Sequence, residues 1–309
     1  MMKIRTILAL TDFSVQGNHA LERAGQLAAE HAACLHILYV DFGGKPDCAD
    51  AATRLDHHAR QLSRQLGLTV TAVVLEEASA ERVAQKARTA DLVVLGHEQT
   101  WSWASLLGGD PVLQLMRLCQ CPVLVTRTAS GKPYDRVLVA VDFTPESMKL
   151  AQLACLLSSG ALIELFHAVS THDEGRLRRA DVSENAIKAY QNACVRYARG
   201  RLLLLTDSFD SRRNRVLSAI GHGDPARQAM VQQEYVGADL MVVGKRRSSS
   251  LRDFFFNSVA QRLLRHARAD LLIIPHDFQV STRALALSRI QAERAGAGAA
   301  LLTTRRSLP

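Results

Sequence analysis

The chain has 309 residues, of which 48% are hydrophobic and 22% are charged, and its formal net charge is +8. A chain of this length is expected to form two domains, and its apolar content is sufficient for sizeable cores. No segment approaches the roughly 18 apolar residues of a membrane span, and aromatic residues make up only 5%. These features exclude a membrane-spanning protein and make a nucleic-acid partner unexpected.

The N-terminal segment and the cysteines predict where the protein resides. The apolar stretch in MMKIRTILALTDF ends at Thr11, which is too short for the core of a signal peptide. Six cysteines in a chain of this length do not make a disulfide framework and favour reduced thiols. Cys119 and Cys121 form C-x-C without a partner Cys/His pair nearby, so no metal site is expected. We expect a cytoplasmic protein without membrane contact.

Strands and helices alternate along the first part of the chain. Short apolar runs predict five strands, and amphipathic stretches between them predict four helices. The predicted strands are Thr6–Thr11, 34–40, 68–75, 91–96 and 122–126, and the predicted helices are Asn18–Ala32, 49–67, Glu81–Ala87 and one after Pro111. Strict alternation favours a parallel sheet with helices on both faces.

The second part of the chain repeats the first. ILALTDFS at 7–14 returns as VLVAVDFT at 137–144, and ADLVVLGHEQ at 90–99 returns as ADLMVVGKRR at 238–247. The predicted strands of this copy are 136–141, 162–169, 214–220, 239–244 and 271–275. The two offsets, 130 and 148 residues, differ by an 18-residue insertion in the second copy, and the polar stretch STHDEGRLRRADVSEN is its natural place. Repeats of this length are duplicated domains and not solenoid units.

We therefore predict domains at 1–128 and 134–276 and a basic tail at 277–309. The stretch TASGKPY between the domains is rich in turn-forming residues and is the expected linker. Each domain is predicted as a five-stranded parallel sheet. The two sheets are expected to stay separate and to pack about a pseudo-two-fold axis through their apolar final strands. The tail holds five arginines and two acids, and AGAGAA interrupts its helical pattern, so we expect it outside both cores.

Three loops of the second copy are predicted at the carboxyl ends of its strands, where open parallel sheets bind ligands. Asp142 closes the first strand, as Asp12 does in the first copy. Gly223, in GHGDP after the third strand, allows close approach of a ligand to the backbone. Gly244 opens the loop after the fourth strand, which holds the cations Lys245, Arg246, Arg247 and Arg252. This loop suits an anionic ligand.

Both copies resemble universal stress protein domains, over about residues 3–127 and 134–276, and the chain is similar to the class in which two such domains are fused. The resemblance implies a Rossmann-like fold of the adenine-nucleotide alpha-hydrolase-like type. Nucleotide-binding members carry G-x2-G-x9-G-[S/T] after the fourth strand. The second copy has Gly244, Arg247, Asn257 and Ser258 at these positions, and the first copy has Gly96, Gln99, Gly109 and Asp110.

The departures from this motif differ between the copies. Asn257 tolerates a left-handed backbone better than other non-glycine residues, and Ser258 keeps the hydroxyl. Arg247 either fills the space of a phosphate or binds a phosphate in bidentate fashion, and both readings stay open. In the first copy Asp110 would repel phosphate, and no Lys or Arg lies between Gly96 and Asp110. We expect the first domain to be degenerate.

The resemblance implies a non-enzymatic stress-response protein, a homodimer or an intramolecular pseudo-dimer, whose second domain senses an adenine nucleotide. ATP is the expected ligand, and the expected binding residues are Asp142, Gly223, Gly244, Arg247, Asn257 and Ser258. The alternative is an enzyme of the same superfamily that hydrolyses an adenine nucleotide or transfers its adenylyl group. The sequence shows no complete P-loop, G-x-S-x-G or Ser/His pair at motif spacing, so no catalytic residue is assigned. Whether a nucleotide binds at all, which stress or partner is involved, and the role of the tail stay open.

Overall fold

The computed structural model of the protein describes residues 3–40, 50–75, 79–96, 111–129, 131–207, 209, 215–245 and 259–278. Within these ranges the chain forms ten strands and nine helices. The first half contains β1 (Thr6–Thr11), α1 (Val15–His31), β2 (Cys34–Tyr39), α2 (Ala51–Leu66), β3 (Val70–Val73), α3 (Ala80–Ala87), β4 (Leu92–Gly96), α4 (Pro111–Leu118) and β5 (Val123–Thr126). The second half contains β6 (Arg136–Ala140), α5 (Glu146–Leu157), β7 (Leu162–Val169), α6 (His172–Arg179), α7 (Glu184–Asp207), β8 (Val216–His222), α8 (Pro225–Val236), β9 (Leu240–Lys245), α9 (Val259–His266) and β10 (Asp270–Pro275).

The observed elements follow the predicted alternation, and local sequence signals explain their ends. The Ser14 side chain accepts a hydrogen bond from the Gly17 amide and so begins α1. Asp224 begins α8 in the same way, and Gly237 ends that helix with a left-handed backbone at φ 62°. The predicted insertion contains α6, which has no counterpart among the described residues of the first half.

All ten strands belong to one sheet, with the order β3-β2-β1-β4-β5-β10-β9-β6-β7-β8. Each half is a five-stranded parallel sheet, as predicted. The strands of the two halves also follow the same internal order. The expectation that the two sheets stay separate is wrong, because β5 and β10 pair directly and antiparallel, with Leu272 opposite Leu124. This pairing satisfies the backbone groups of two apolar edge strands that would otherwise be exposed.

A buried polar cluster joins the two halves beside this strand pair. Asp270, at the start of β10, accepts hydrogen bonds from the Tyr134 hydroxyl at 2.7 Å and from the Arg127 amide at 2.8 Å. The Arg23 guanidinium of α1 lies 3.7 Å from the same carboxylate and stacks 4.2 Å from the centre of the Tyr134 ring. Arg23 also donates to the Lys132 carbonyl at 2.7 Å. Side chains from α1, the linker and β10 thus share one buried ion pair.

The sequence also predicted that no segment spans a membrane and that the tail lies outside both cores. No helix among the described residues is both long enough and apolar enough to cross a bilayer. Of the predicted tail, only Asp277 and Phe278 are described, so the prediction about its packing lies outside the described residues.

Candidate functional site

A cavity of about 420 Å³ lies at the carboxyl ends of the strands of the second half. This is the edge at which the strand order reverses between β6 and β9, where doubly wound sheets bind their ligands. The volume falls within the range of small-molecule sites. The apolar part of its wall includes Leu113, Met116, Leu150, Phe166, Ala229, Val243 and Ile273, and the polar part includes Asp142, His167, Lys245, Gln261 and His276.

Asp142 forms a tight turn at the end of β6. Its Oδ1 accepts hydrogen bonds from the Thr144 amide at 3.1 Å, the Thr144 hydroxyl at 2.6 Å and the Ser147 hydroxyl at 3.1 Å. Phe143, between these residues, has φ 61°, which is uncommon for a residue with a Cβ. The hydrogen bonds of the short acidic side chain hold this turn and orient the carboxylate at the cavity wall.

His167, near the end of β7, forms the neighbouring part of the wall. Its Nδ1 lies 2.8 Å from the Val141 carbonyl oxygen, and its ring stacks on Phe143 with the ring centres 4.1 Å apart. Because a carbonyl oxygen only accepts, Nδ1 is the nitrogen that carries the proton. Burial lowers the pKa of His167, while the Val141 carbonyl and the Asp142 carboxylate oppose this shift. The aromatic pair therefore offers a flat, uncharged surface beside the Asp142 carboxylate.

Gly244 leaves room at the end of β9. A Cβ built on it would meet only side-chain atoms first, namely His276 Nε2 at 2.8 Å and Leu150 Cδ1 at 3.2 Å. His276 follows β10, where its amide donates to the Lys245 carbonyl at 2.9 Å, and its Nδ1 lies 3.9 Å from a carboxylate oxygen of Glu146. The floor of the cavity at this point is a glycine bordered by side chains that can rotate away.

The corresponding place in the first half is closed by backbone. A Cβ built on Gly96 would lie 2.2 Å from the carbonyl oxygen of Gln16 and 2.9 Å from the amide nitrogen of Gly17. These two atoms belong to the first turn of α1, which therefore sits directly against the end of β4. Asp12 and Phe13 repeat the turn of the second half, with Asp12 Oδ1 accepting from the Ser14 amide at 2.9 Å and Phe13 at φ 62°. The first half therefore has the same turn at Asp12 and Phe13, but the backbone of α1 occupies the space at the end of β4.

One wall of the second-half cavity comes from the first half. Leu113 and Met116, one turn apart on α4, both line it, and each is almost fully buried. The Lys245 ammonium at the end of β9 donates a hydrogen bond to the Met116 carbonyl near the C-terminal end of α4. The antiparallel pairing of β5 with β10 brings the end of α4 to the carboxyl edge of the second half. The first half thus helps to enclose the cavity of the second.

The predicted binding residues fall into three groups. Asp142 and Gly244 line the cavity. Gly223 adopts φ 135° in the turn before α8 and lies next to the N-terminus of that helix, whose Pro225 lines the cavity. Arg247, Asn257 and Ser258 lie outside the described residues, so their part of the prediction stays untested.

Sequence reasoning missed His167, His276 and Met116. His167 is the third-last residue of β7, and a polar residue near the end of a buried strand is a signal that could have been used. His276 directly follows Pro275 and had no comparable signal. Met116 lies in the other half of the chain, and only the pairing of β5 with β10 makes it a neighbour of the cavity.

The structure also shows whether the described side chains could hold a metal ion and which histidine contacts a carboxylate. Among the described residues, no group of three or more His, Cys, Asp or Glu side chains lies close enough together to hold a metal ion. His222, the last residue of β8, places its Nε2 2.7 Å from the buried Glu174 carboxylate of α6, which also accepts from Gln191 at 2.8 Å. This contact fastens the inserted helix α6 to the end of β8.

The lowered pKa of His167 predicts a dependence of stability on pH. The unfolded chain binds a proton at about pH 6.5, whereas the folded protein holds the imidazole neutral to lower pH. The free energy of unfolding is therefore expected to fall as the pH decreases from about 7 to 5, and His167→Gln is expected to show a smaller fall. Burial also lowers the pKa of His31, His36 and His58, and these residues contribute equally in both proteins.

Urea denaturation at a series of pH values measures this difference. His172→Gln, which replaces an exposed histidine of α6, is the control for the exchange of histidine for glutamine. Equal slopes for His167→Gln and the unaltered protein would show that His167 is as easily protonated in the folded state as in the unfolded one.

The strand order and the position of the cavity define the class of protein. Each half has the order of a doubly wound, Rossmann-like α/β domain, with its first and fourth strands adjacent at the point where the order reverses. The chain is therefore a tandem pair of such domains fused through their final strands. A sequence model of the universal stress protein family matches residues 3–127 and 133–275, and the chain belongs to this family.

Solved structures support the assignment of the fold over most of the chain. A universal stress protein from Archaeoglobus fulgidus is 16% identical, with a TM-score of 0.66, covering 88% of this chain and 97% of that one. A protein of unknown function from Pseudomonas aeruginosa is 20% identical, with a TM-score of 0.60, covering 89% of this chain and 93% of that one. No curated protein matches the chain. The identified family thus makes this a stress-response protein of the universal stress type.

Proposed function

We propose that the second half binds an adenine nucleotide, with ATP as the first candidate, and that the protein acts as a sensor and not as an enzyme. The observation that carries this proposal is the 420 Å³ cavity that contains Asp142 and Gly244 at the carboxyl ends of β6 and β9. Its walls are mainly apolar with a few polar groups, which is typical of sites for ligands with a flat apolar part.

The polar groups of the cavity suit the two ends of a nucleotide. His167, whose ring stacks on Phe143, and Asp142 both line the cavity and would take the nucleoside, with the Asp142 carboxylate accepting from ribose hydroxyls. Gly244 and the following loop would take the phosphates, together with the amides near Asn257 and Ser258 and the guanidinium of Arg247. Gly223 would border the nucleoside end. Lys245, which lines the cavity near Gly244, adds a positive charge on the phosphate side.

The first half is proposed as a partner of the site and not as a second site. Its carboxyl edge is filled at Gly96 by the backbone of α1, so no equivalent space exists next to that glycine. Its helix α4 instead supplies Leu113 and Met116 to the cavity of the second half. A nucleotide in this cavity would touch both halves.

Isothermal titration of the purified protein with ATP tests this proposal, with one site per chain expected. Asp142→Ala is expected to weaken binding about tenfold or more, because a hydrogen bond to a charged group contributes about 1.5 to 3 kcal/mol. Asp12→Ala is the matched control, since Asp12 makes the same turn in the closed half. Absence of binding, or equal weakening by the two substitutions, would contradict the proposal.

The proposal that the protein does not act as an enzyme is tested separately. Incubation of the protein with ATP should release neither phosphate nor pyrophosphate above the rate of a protein-free control. Turnover that is lost in Asp142→Ala and kept in Asp12→Ala would favour an enzyme that uses the same cavity.

A further inference from the structure

Helix α7 of the second half exposes several large apolar side chains. It is 24 residues long, and its fully buried residues are only Ile187, Ala198 and Leu202. On the opposite side Leu203 is 59% exposed, Leu204 67% and Tyr197 63%. Large apolar side chains that cluster on an exposed surface often mark a site of interaction.

The same side of α7 is positively charged. Between its terminal residues Glu184 and Asp207 the helix contains four cations and no further acidic residue, and Asp207 is the one acid that follows Leu203 and Leu204 on their side of the helix. Lys188, Arg196 and Arg199 are exposed and form no ion pair or hydrogen bond within the described part of the chain, whereas Arg201 donates to the Phe143 carbonyl at 3.3 Å. Three cations on this surface therefore have no counter-charge among the residues that the structure describes.

These side chains form one continuous face. Arg196, Arg199 and Leu203 follow the spacing i, i+3, i+7, which places them on one stripe of a helix. Tyr197 and Leu204 form the adjacent stripe, and Lys188 lies about three turns before Arg199 on its side of the helix. We call this set, Lys188, Arg196, Tyr197, Arg199, Leu203 and Leu204, the α7 outer face.

The first half provides an internal comparison. Helix α2 occupies the place of α7 in that half, between its second and third strands, and exposes no large apolar side chain. Its exposed surface carries both signs of charge, including an Arg60–Asp56 pair at 2.6 Å. The fold therefore does not require an apolar and mainly basic outer surface at this position, and the α7 outer face is particular to the second half.

Charge decides between the surfaces that could cover this face. A second copy of the chain would bring identical cations together across a two-fold axis. The C-terminal tail, with five arginines against two acids, carries the same sign of charge as the α7 outer face. Nucleic acid would pair with the cations but would leave Leu203 and Leu204 without apolar partners.

We propose that the α7 outer face binds the surface of a membrane that contains anionic lipids. Helices that lie in the membrane interface combine Lys and Arg with Leu and aromatic residues in this way. The cations would meet lipid phosphates, and Leu203 and Leu204 would enter the boundary of the acyl chains, while Tyr197, whose ring packs edge-on against Phe143, would lie at the margin of this contact. This departs from the sequence-based expectation of no membrane contact, which rested on the lack of a spanning segment and of a signal peptide.

Flotation of the full-length protein with vesicles tests this proposal. The protein should bind vesicles of mixed phosphatidylglycerol and phosphatidylcholine and not vesicles of phosphatidylcholine alone. The double substitution Arg196→Ala with Arg199→Ala should weaken vesicle binding about tenfold or more, because it removes two positive charges that the anionic surface of the bilayer attracts. Leu203→Ser with Leu204→Ser should weaken it by a similar factor. Arg60→Ala with Arg64→Ala on α2 is the matched control and should leave binding unchanged.

Each other outcome overturns the proposal. Vesicle binding that none of the α7 substitutions alters would assign it to another surface, such as the tail. Binding of RNA or DNA that Arg196→Ala with Arg199→Ala weakens, without vesicle binding, would make nucleic acid the partner. A change of sedimentation coefficient in Leu203→Ser with Leu204→Ser, without vesicle binding, would make this face an interface between copies.

Discussion

Replacement of Asp270 by alanine is expected to lower the free energy of unfolding by about 3 to 5 kcal/mol, because it leaves a buried guanidinium without its counter-charge. Arg23 and Asp270 are 3% and 0% exposed and lie 3.7 Å apart. Asp270 also accepts from the Tyr134 hydroxyl and the Arg127 amide, so these two donors lose their acceptor as well. Urea denaturation measures the loss.

Two further variants test whether the loss arises from the unpaired guanidinium. Asp135→Ala changes an exposed carboxylate next to Tyr134 and should stay within about 0.5 kcal/mol of the unaltered protein. Arg23→Met combined with Asp270→Ala should lose less than the sum of the two single substitutions, since the second change removes the charge that the first left unpaired. Additive losses would show that Arg23 and Asp270 do not stabilise each other.

Gly96→Ala is expected to lower the free energy of unfolding by about 3 kcal/mol, near the upper end of the usual effect of overpacking. The new Cβ would lie 2.2 Å from the Gln16 carbonyl oxygen, so either the first turn of α1 or the end of β4 must move. Gly244→Ala is the equivalent change in the second half and is expected to lower it by about 1 kcal/mol or less. There the first contact is the His276 ring at 2.8 Å, which can rotate.

Denaturation of both glycine variants under the same conditions measures this asymmetry between the halves. Similar losses in Gly96→Ala and Gly244→Ala would mean that α1 yields as easily as a side chain. The carboxyl edge of the first half would then be as open to a ligand as that of the second, and the proposed division of roles would be wrong.

The candidate site was predictable where its residues end a strand. Asp142 and Gly244 each follow a short apolar run, and the carboxyl ends of parallel strands meet at one edge. His276 and Met116 were not predictable, because neither residue belongs to a motif and their nearness to Gly244 depends on which strands are neighbours. The sequence predicted a degenerate first domain from Asp110 and from the lack of cations in its loop, but it did not predict that the backbone of α1 occupies the space at Gly96.

Local patterns in the sequence by themselves determined the ten strands, the duplication and the parallel pairing within each half, because periodicity and chain alternation are properties of neighbouring residues. Even the bounds of β1 and β7 follow from their apolar runs. Only the tertiary structure decided that β5 and β10 pair edge to edge and merge two sheets into one. That choice depends on backbone hydrogen bonds between segments far apart in the chain, which no local pattern specifies. It places the end of α4 beside β9 and so makes the cavity of the second half a product of both domains.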